Sequence, residues 1–426
     1  MRRTMFAGPI LAGALFAPIP AMGQIKHFEP KPNLQLKTRE LSAPGGVKNR
    51  LEGLRSEIRS KGLTFEVGYT QAMDTPLAQL TGLKVPFDAA ARASAHAPIA
   101  ARMQSDDAAG IAAHTKANPG FRMGSSKTLA TGGVGSSVFN WVTLGKVAQV
   151  KDQRNCGSCW VFGTVAAFES SWAIRNNQMI NASEQDILNC SRTFPGGGSG
   201  DCSGGSMDHA AQYLKDHGTA TEESKAYTAS MGTCTAVLHR PYFASSWGFV
   251  ADTVQPSVAQ LKAALIAHGV IAVGVAATEA FQAYHSGVFN QTTVGLNHCV
   301  ALVGWDDTKN AWLIKNSWGA GWGMDGYMWI KYGSNGIGSY AVWVDASAIP
   351  PAPAENCVYF DPANLTIDYS GSNYSVVNGA YQMVVFRTGA EAQNMLIRIR
   401  QHGFRRICFV GHAPYTGGTG MMYFLP

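Results

Sequence analysis

The chain has 426 residues, of which 46% are hydrophobic, and its formal net charge is +6. The length predicts more than one domain, and the hydrophobic content is sufficient for packed cores. The charge is unevenly placed: residues 24–135 have a net charge of +6, whereas residues 136–349 have a net charge of −3. A basic leader joined to an acidic body favours an intramolecular partner over nucleic acid, although chance could give the same distribution.

The first residues predict an export signal. Arg2 and Arg3 precede an apolar run from Met5 to Pro20, and small residues surround a plausible cleavage point near Gly23. The run is too short and too often interrupted by proline to span a membrane, and no later stretch is long and apolar enough to do so. We therefore expect a signal peptide over residues 1–23 and a secreted or periplasmic protein with no membrane span, in which disulfide bonds can form.

The basic leader, residues 24–135, contains segments of different predicted structure. The charged and apolar pattern over 47–61 predicts an amphipathic helix, and the alternation over 65–69 predicts a short strand. Residues 73–84 are expected to form a short helix or loop. Residues 89–135 are rich in Ala, Gly and Ser, which we interpret as a flexible segment where processing would occur.

The stretch from Gln153 to Trp160, QRNCGSCW, contains a cysteine in an unusual setting. Cys159 opens an apolar run over 160–174 that predicts a largely buried helix. A thiol in the first turn of a helix meets unpaired backbone N–H groups and the positive end of the helix dipole. Both favour the thiolate, which is the nucleophile, so Cys159 is a candidate catalytic residue.

Such a nucleophile needs an imidazole, a group that orients the imidazole, and donors for a developing oxyanion. His298 lies in the apolar sequence NHCVALVGW, and Asn316 lies in NSWG. Gln153 precedes Cys159 by six residues and could direct its carboxamide at a carbonyl oxygen. The sequence therefore supplies one candidate for each role.

The pieces QxxCGSCW, NHxV and NSWGxxWG resemble the papain/cathepsin family of cysteine peptidases. The resemblance covers about half of the chain, from residue 138 to residue 348. It implies an α+β, papain-like two-domain fold in which a helical domain faces an antiparallel, barrel-like β domain across an active-site cleft. The residues agree with this division. The helix over 160–174 is followed by a second helical run over 183–188, in which Ser183 is a good N-cap, and five β-rich runs follow within residues 270–344.

The resemblance also implies an activity: a cysteine endopeptidase made as a zymogen and needing no cofactor or metal. Cys159 would attack the peptide, with His298 as the base and Asn316 orienting it. Gln153 and the backbone N–H of Cys159 would bind the oxyanion. The expected partners are peptide or protein substrates and the protein's own propeptide, which acts as an intramolecular inhibitor; we expect no nucleic acid partner, and we expect a monomer.

The same resemblance assigns the substrate-binding residues. Gly204 and Gly205 would pair with the backbone of an extended substrate. Trp318 would cover the contact between the catalytic imidazole and amide, with Trp322 beside it. The main pocket, for the side chain two residues before the cleaved bond, would be lined by uncharged residues and would prefer apolar side chains: Met207, Gly274, Leu296, Cys299 and Tyr340.

The eight cysteines allow a consistent assignment. By resemblance, Cys156 pairs with Cys202 and Cys190 pairs with Cys234. Cys357 and Cys408 are then left to bond each other, and Cys299 remains a buried free thiol beside the catalytic histidine. Connectivity cannot be proven from sequence.

The last part of the chain lies outside the resemblance. Residues 350–355 predict a stiff, proline-rich linker between a peptidase domain at 136–349 and a small α/β C-terminal domain of unknown role at 356–426. That domain has strand-like patches and a helix-like run over 390–401. A small appendage and a targeting or substrate-binding module both remain open, because fold-level hints do not give function.

Two other functions remain open at this stage. One is a papain-like scaffold that binds peptides without cleaving them. The other is a thiol–disulfide oxidoreductase using the CxxC pair Cys156 and Cys159, which a Cys156–Cys202 bond would exclude. The same pair could be half of a zinc site, but the other cysteines supply no second close pair of ligands.

Overall fold

The computed structural model describes residues 28–124, 130, 133–192, 200–234 and 239–348, and seven further segments between residues 356 and 425. The predicted signal peptide over residues 1–23 and the predicted linker over residues 350–355 lie outside the described residues. Within the described part of the chain, no helix combines the length and the apolar character needed to cross a membrane.

The leader is mostly ordered in helices. Its elements are α1 (Gln35–Leu41), α2 (Gly45–Ser60), β1 (Phe65–Val67), a 3-10 turn (Gln71–Asp74), α3 (Leu77–Leu80) and α4 (Ala89–Ala117). The predicted amphipathic helix and short strand are confirmed as α2 and β1. The prediction of a flexible segment is wrong for α4, a 29-residue helix. Its alanines have the highest helix propensity of any residue, and this outweighed the small-residue composition on which the prediction was based.

The helical half of the papain-like part holds β2 (Val138–Asn140), α5 (Cys159–Arg175), α6 (Glu184–Cys190) and α7 (Met207–Asp216). Nearly every residue of α5 is buried, as its mostly apolar sequence predicts. The hydroxyl of Ser183 accepts a hydrogen bond from the backbone N–H of Asp186 and so caps α6. The disulfides Cys156–Cys202 and Cys190–Cys234 are both present, which confirms the two pairings that the resemblance implied.

The second half is built on one large sheet. Its strands and helices are β3 (Ala244–Phe249), α8 (Val258–His268), β4 (Ile271–Val275), α9 (Glu279–Gln282), β5 (Tyr284–Phe289), β6 (His298–Asp306), β7 (Ala311–Lys315), β8 (Tyr327–Lys331) and β9 (Ser339–Ala346). The strand order is β1-β5-β8-β7-β6-β4-β9-β3, and β2 pairs with β6. All pairs are antiparallel except β5 with β8. The leader strand β1 therefore extends the sheet of the second half.

The described parts of the C-terminal segment form an α/β unit. They comprise β10 (Asn356–Tyr359), β11 (Leu365–Asp368), β12 (Tyr374–Asn378), β13 (Tyr381–Phe386), α10 (Gly389–His402), β14 (Arg406–Val410) and β15 (Met421–Leu425). β10, β14 and β15 form one sheet, and β11, β12 and β13 form another that α10 contacts. The register places Cys357 directly opposite Cys408. Their side chains lie outside the described residues, so their disulfide stays a prediction.

Candidate active site

Cys159 is the first residue of α5, at the base of a cleft between α5 and the start of β6. Its side chain is fully buried. Burial raises the pKa of the Cys159 thiol to about 12, and backbone N–H groups, including those of Cys299 and Gly82, lower it only part of the way. The N–H groups at the helix terminus therefore lower the pKa of the thiol, but burial raises it by more.

His298 is the first residue of β6, and its imidazole contacts the side chain of Asn316, which follows β7. His298 Nε2 lies 2.8 Å from Asn316 Oδ1, which also accepts a hydrogen bond from the backbone N–H of Ser317. Because an amide oxygen only accepts, Nε2 carries the ring hydrogen and Nδ1 is left as a base. His298 Nδ1 has no hydrogen-bond partner among the described residues.

The imidazole of His298 is as deeply buried as the thiol. Burial lowers the pKa of His298 to about 4, and the hydrogen bond to Asn316 raises it part of the way. The raised pKa of the Cys159 thiol and the lowered pKa of the imidazole both disfavour the charged forms. With the leader in place, burial therefore favours the neutral thiol and imidazole over the thiolate–imidazolium pair.

Two tryptophans close the site behind the imidazole. The Trp318 ring lies 4.6 Å from the His298 ring, centroid to centroid. Trp322 packs edge-on against Trp318 at 5.5 Å and donates from its indole N–H to the carbonyl of Phe281. Both indoles are buried, so they exclude water from the contact between His298 and Asn316.

Gln153 points its carboxamide into the cleft. Its Nε2 donates to the carbonyl of Leu80 in the leader at 3.0 Å and to the carbonyl of Cys156 at 2.9 Å. Its Oε1 accepts from the hydroxyl of Ser317, which sets the orientation of the amide. The Gln153 N–H therefore faces a peptide carbonyl that enters the cleft.

The leader crosses the cleft as an extended chain. The N–H groups of Gly82 and Leu83 both donate to the carbonyl of Asn297 at 2.9 Å. On the opposite wall, the N–H of Lys84 donates to the carbonyl of Gly205, and the N–H of Gly205 donates to the carbonyl of Gly82, each at 2.8 Å. These backbone bonds hold the leader between the two halves of the papain-like part.

Near Cys159, the leader and the papain-like part approach each other closely at glycines. A Cβ on Gly82 would lie 1.9 Å from the carbonyl oxygen of Gly157, two residues before Cys159. A Cβ on Gly204 would lie 2.4 Å from the carbonyl oxygen of Gly82, and the φ of Gly204 is +120°. The backbones can therefore meet over the nucleophile only because these positions lack side chains.

The leader also fills a pocket with Leu83. A Cβ on Gly274 would be 3.0 Å from Leu83 Cδ2 and 3.4 Å from Leu296 Cδ1, so these three residues meet. Met207 and Cys299 are fully buried and contact each other through their sulfur atoms at 3.0 Å. Cys299 is a free thiol.

Tyr340, the remaining residue expected in the pocket, makes a contact that the sequence analysis did not anticipate. Its hydroxyl donates to Asp208 Oδ1 at 2.8 Å. Asp208 follows Met207 in the first turn of α7, and it was missed because all the pocket residues chosen from the motifs were uncharged. The position of Asp208 directly after an expected pocket residue was the available signal.

Comparison with known proteins agrees with this arrangement. Residues 136–345 match the family described as papain family cysteine protease. The chain is 33% identical to the thiol protease SEN102 of Hemerocallis sp. over 222 residues, which is 51% of the chain and 60% of the relative. It is 39% identical to cathepsin L 1 of Paramecium tetraurelia over 188 residues, which is 44% of the chain and 57% of the relative. The chain thus spans only about three fifths of the length of these relatives.

Solved structures extend the comparison to the leader. The digestive procathepsin L 3 of Tenebrio molitor larval midgut aligns with 73% of the chain and 96% of its own, at 24% identity and a TM-score of 0.53. The Carica candamarcensis cysteine protease CMS1MS2, in complex with E-64, is 32% identical over 49% of the chain and 98% of its own, with a TM-score of 0.45. The fold is papain-like, and the chain belongs to the papain family of cysteine proteases.

Proposed function

We propose that the chain is the precursor of an exported cysteine endopeptidase that its own leader, residues 24–135, keeps inactive. The observation that carries the proposal is the path of the leader. Its backbone is bonded to both walls of the cleft over Cys159, and its Leu80 carbonyl faces the Gln153 amide. A peptide chain can therefore bind where the chemistry would occur.

Once the leader is gone, the reaction would begin with transfer of the thiol proton of Cys159 to His298 Nδ1. The thiolate then attacks the carbonyl carbon of the scissile peptide bond, and Gln153 Nε2 and the backbone N–H of Cys159 bind the oxyanion. The C–N bond breaks as His298 protonates the leaving amine, which leaves a thioester. Water, deprotonated by His298, hydrolyses the thioester and restores the thiol, while Asn316 holds the imidazole throughout.

The leader would also suppress the electrostatics of this step. While it covers the cleft, burial raises the pKa of the Cys159 thiol and lowers the pKa of His298, so proton transfer between them is unfavourable. Removal of the leader admits water and stabilises both charged forms. Activation is therefore expected to create the nucleophile as well as the space for the substrate.

For specificity, the Leu83 pocket supports an apolar preference two residues before the cleaved bond. Leu83 is 6% exposed and lies against Gly274 and Leu296. A leucine-sized side chain of a substrate would gain about 2 kcal/mol from the same burial. We expect the mature enzyme to begin near Ser136, where the family match begins.

The rival redox function finds no support in this structure. It requires Cys156 and Cys159 to form a reversible pair, but Cys156 is bonded to Cys202 while Cys159 is free. The non-cleaving scaffold is the alternative that an experiment must separate from the peptidase.

The test uses the purified full chain and a matched Cys159→Ala variant, each acidified with and without a reductant. Hydrolysis of a peptide amide with an apolar residue second from the cleaved bond is followed together with intact mass and labelling by a thiol-directed epoxide. The proposal is supported if activity appears while the intact mass falls by the mass of the leader, and if the epoxide labels Cys159. A shortened wild-type protein with a free Cys159 that neither cleaves nor labels would establish the scaffold instead.

A further inference from the structure

Beyond the Leu83 pocket, the leader also contacts the enzyme through the side chain of Arg92. Arg92, in the first turn of α4, lies beside the first turn of α7. Its Nη1 is 3.5 Å from Asp208 Oδ2 and 3.4 Å from His209 Nε2. Its Nε donates to Asp88 of the leader itself, at 2.8 Å. One guanidinium therefore meets two acceptor atoms of the enzyme.

The enzyme side of this contact is already organised. The side chain of Asp208 is only 7% exposed, and the hydroxyl of Tyr340 donates to its Oδ1 at 2.8 Å. The Ser206 hydroxyl lies 2.9 Å from His209 Nδ1, so a ring hydrogen on Nδ1 can donate to it and Nε2 remains an acceptor. Asp208 Oδ2 and His209 Nε2 are thus held in place by contacts within the enzyme and do not depend on the leader.

Removal of the leader leaves this site without its cation. Among the described residues, Arg92 is the one basic side chain that forms an ion pair with Asp208. With the leader in place the Asp208 side chain is more than nine-tenths buried and paired with Arg92. When Arg92 leaves, a second cation that binds there restores the ion pair and its charge-assisted hydrogen bond. The Arg92 side chain is itself 40% exposed, so the site opens towards solvent and a substrate side chain can reach it.

The path of the leader gives the position of this site relative to the cleaved bond. The chain runs from Gly82, close to the nucleophile, through Leu83 in the main pocket and on to Arg92. The main pocket takes the side chain two residues before the cleaved bond, and Tyr340, which is expected in that pocket, is bonded to Asp208. The site around Asp208 therefore adjoins the main pocket, on the side from which Arg92 enters. It faces substrate residues that are more distant from the cleaved bond.

Resting on the proposed peptidase function, we propose that Asp208, His209 and Tyr340 form a guanidinium-binding subsite of the mature enzyme. It binds an arginine side chain three to five residues before the cleaved bond. Arginine is preferred to lysine because its planar fork can donate to the carboxylate and the imidazole together, whereas an ammonium group is a compact point charge. In the zymogen, Arg92 occupies this subsite as Leu83 occupies the main pocket.

The experiment uses the mature wild-type enzyme, after intact mass has shown that the residues up to and including α4 are gone. Fluorogenic peptides carry Leu second from the cleaved bond and Arg, citrulline, Lys or Ala at the third, fourth or fifth position. We expect kcat/KM for Arg to exceed that for the uncharged isostere citrulline by about tenfold at one of these positions. The ratio should fall as salt is added.

Two variants assign the effect to its residues. In Asp208→Asn the ratio of kcat/KM for Arg and citrulline should fall to about one, and because both peptides meet the same preparation, any loss of folded protein cancels. Asp216→Asn, which changes an exposed acid at the other end of α7, is the matched control and should keep the ratio.

Three results would overturn the subsite: equal rates for Arg and citrulline at all three positions in the wild type, an unchanged ratio in Asp208→Asn, or an active enzyme that retains α4. If Asp208→Asn does not fold, the citrulline comparison in the wild type decides alone. Failure of the peptidase function looks different, because then no peptide is cut and the epoxide does not label Cys159.

Discussion

Gly82 is the leader residue whose replacement should most directly weaken inhibition. Its N–H donates to Asn297, its carbonyl accepts from Gly205, and an added Cβ would lie 1.9 Å from the carbonyl oxygen of Gly157. The obstructing atom is backbone, next to a disulfide, so it cannot turn aside as a side chain would. Gly82→Ala must therefore displace the leader from Gly157.

The magnitude follows from the cost of inserting one methyl group into a closely packed contact, about 1–3 kcal/mol. If this cost falls on the closed zymogen alone, the population with an open cleft rises about 5- to 150-fold. The epoxide reacts with Cys159 only when the cleft is open, so its labelling rate should rise by the same factor. The rate is measured on intact zymogen, before any processing, at neutral pH.

Gly53→Ala is the matched control for this substitution. Gly53 lies within α2 in the same leader, and a Cβ there would meet no atom within 4 Å. Its labelling rate should equal that of the wild-type zymogen. If Gly82→Ala also labels at the wild-type rate, the leader does not close the cleft through this contact and the reasoning is wrong.

Three further predictions concern the thiols and a buried ion pair. Cys159 in the intact full-length chain should react slowly with iodoacetamide at neutral pH, because burial raises the pKa of the thiol to about 12. Removal of the leader should raise the reaction rate at least about 100-fold. Equal rates with and without the leader would contradict the burial argument. Gly163→Ala places a Cβ 2.2 Å from the sulfur of Cys299 and should cost about 1–3 kcal/mol in urea unfolding. Cys299→Ala should recover most of that loss, whereas additive losses would refute the clash. Arg240→Leu should lower the free energy of unfolding by about 3–5 kcal/mol, because Asp186 would lose its ion-pair partner at 2.7 Å and both side chains are only 1% exposed. A loss below about 1 kcal/mol in urea unfolding would refute this prediction.

The local parts of the site could be predicted from sequence because short-range chemistry specifies them. A helix beginning at Cys159 and a capped helix after Ser183 follow from local patterns, and both occur in the structure. The resemblance to papain-like enzymes led to two disulfides that the structure contains, Cys156–Cys202 and Cys190–Cys234. For the two helices the relevant information lies within a few residues of the motif, whereas the disulfide pairings were implied by the resemblance alone.

Other features depend on contacts between segments that are distant in the sequence. The alanines of α4 favour a helix, but the place of this helix against β3, with the His96 ring stacked on Trp247 at 3.8 Å, depends on tertiary contacts. The thiol was expected to be ionised by its helix terminus, but the folded chain buries it fully and its pKa is raised instead. The hydrogen bond of Asp208 with Tyr340 and its ion pair with Arg92 form only in the folded chain, because the three residues are far apart in the sequence.

The sequence by itself thus determined which chemical groups the protein carries, the order in which they occur and the family to which they belong. The tertiary structure alone decided which of these groups are exposed to water and which cations and carboxylates face one another. Desolvation and ion pairing depend on the distances between atoms in space, and segments far apart in the chain set those distances together only when the protein folds.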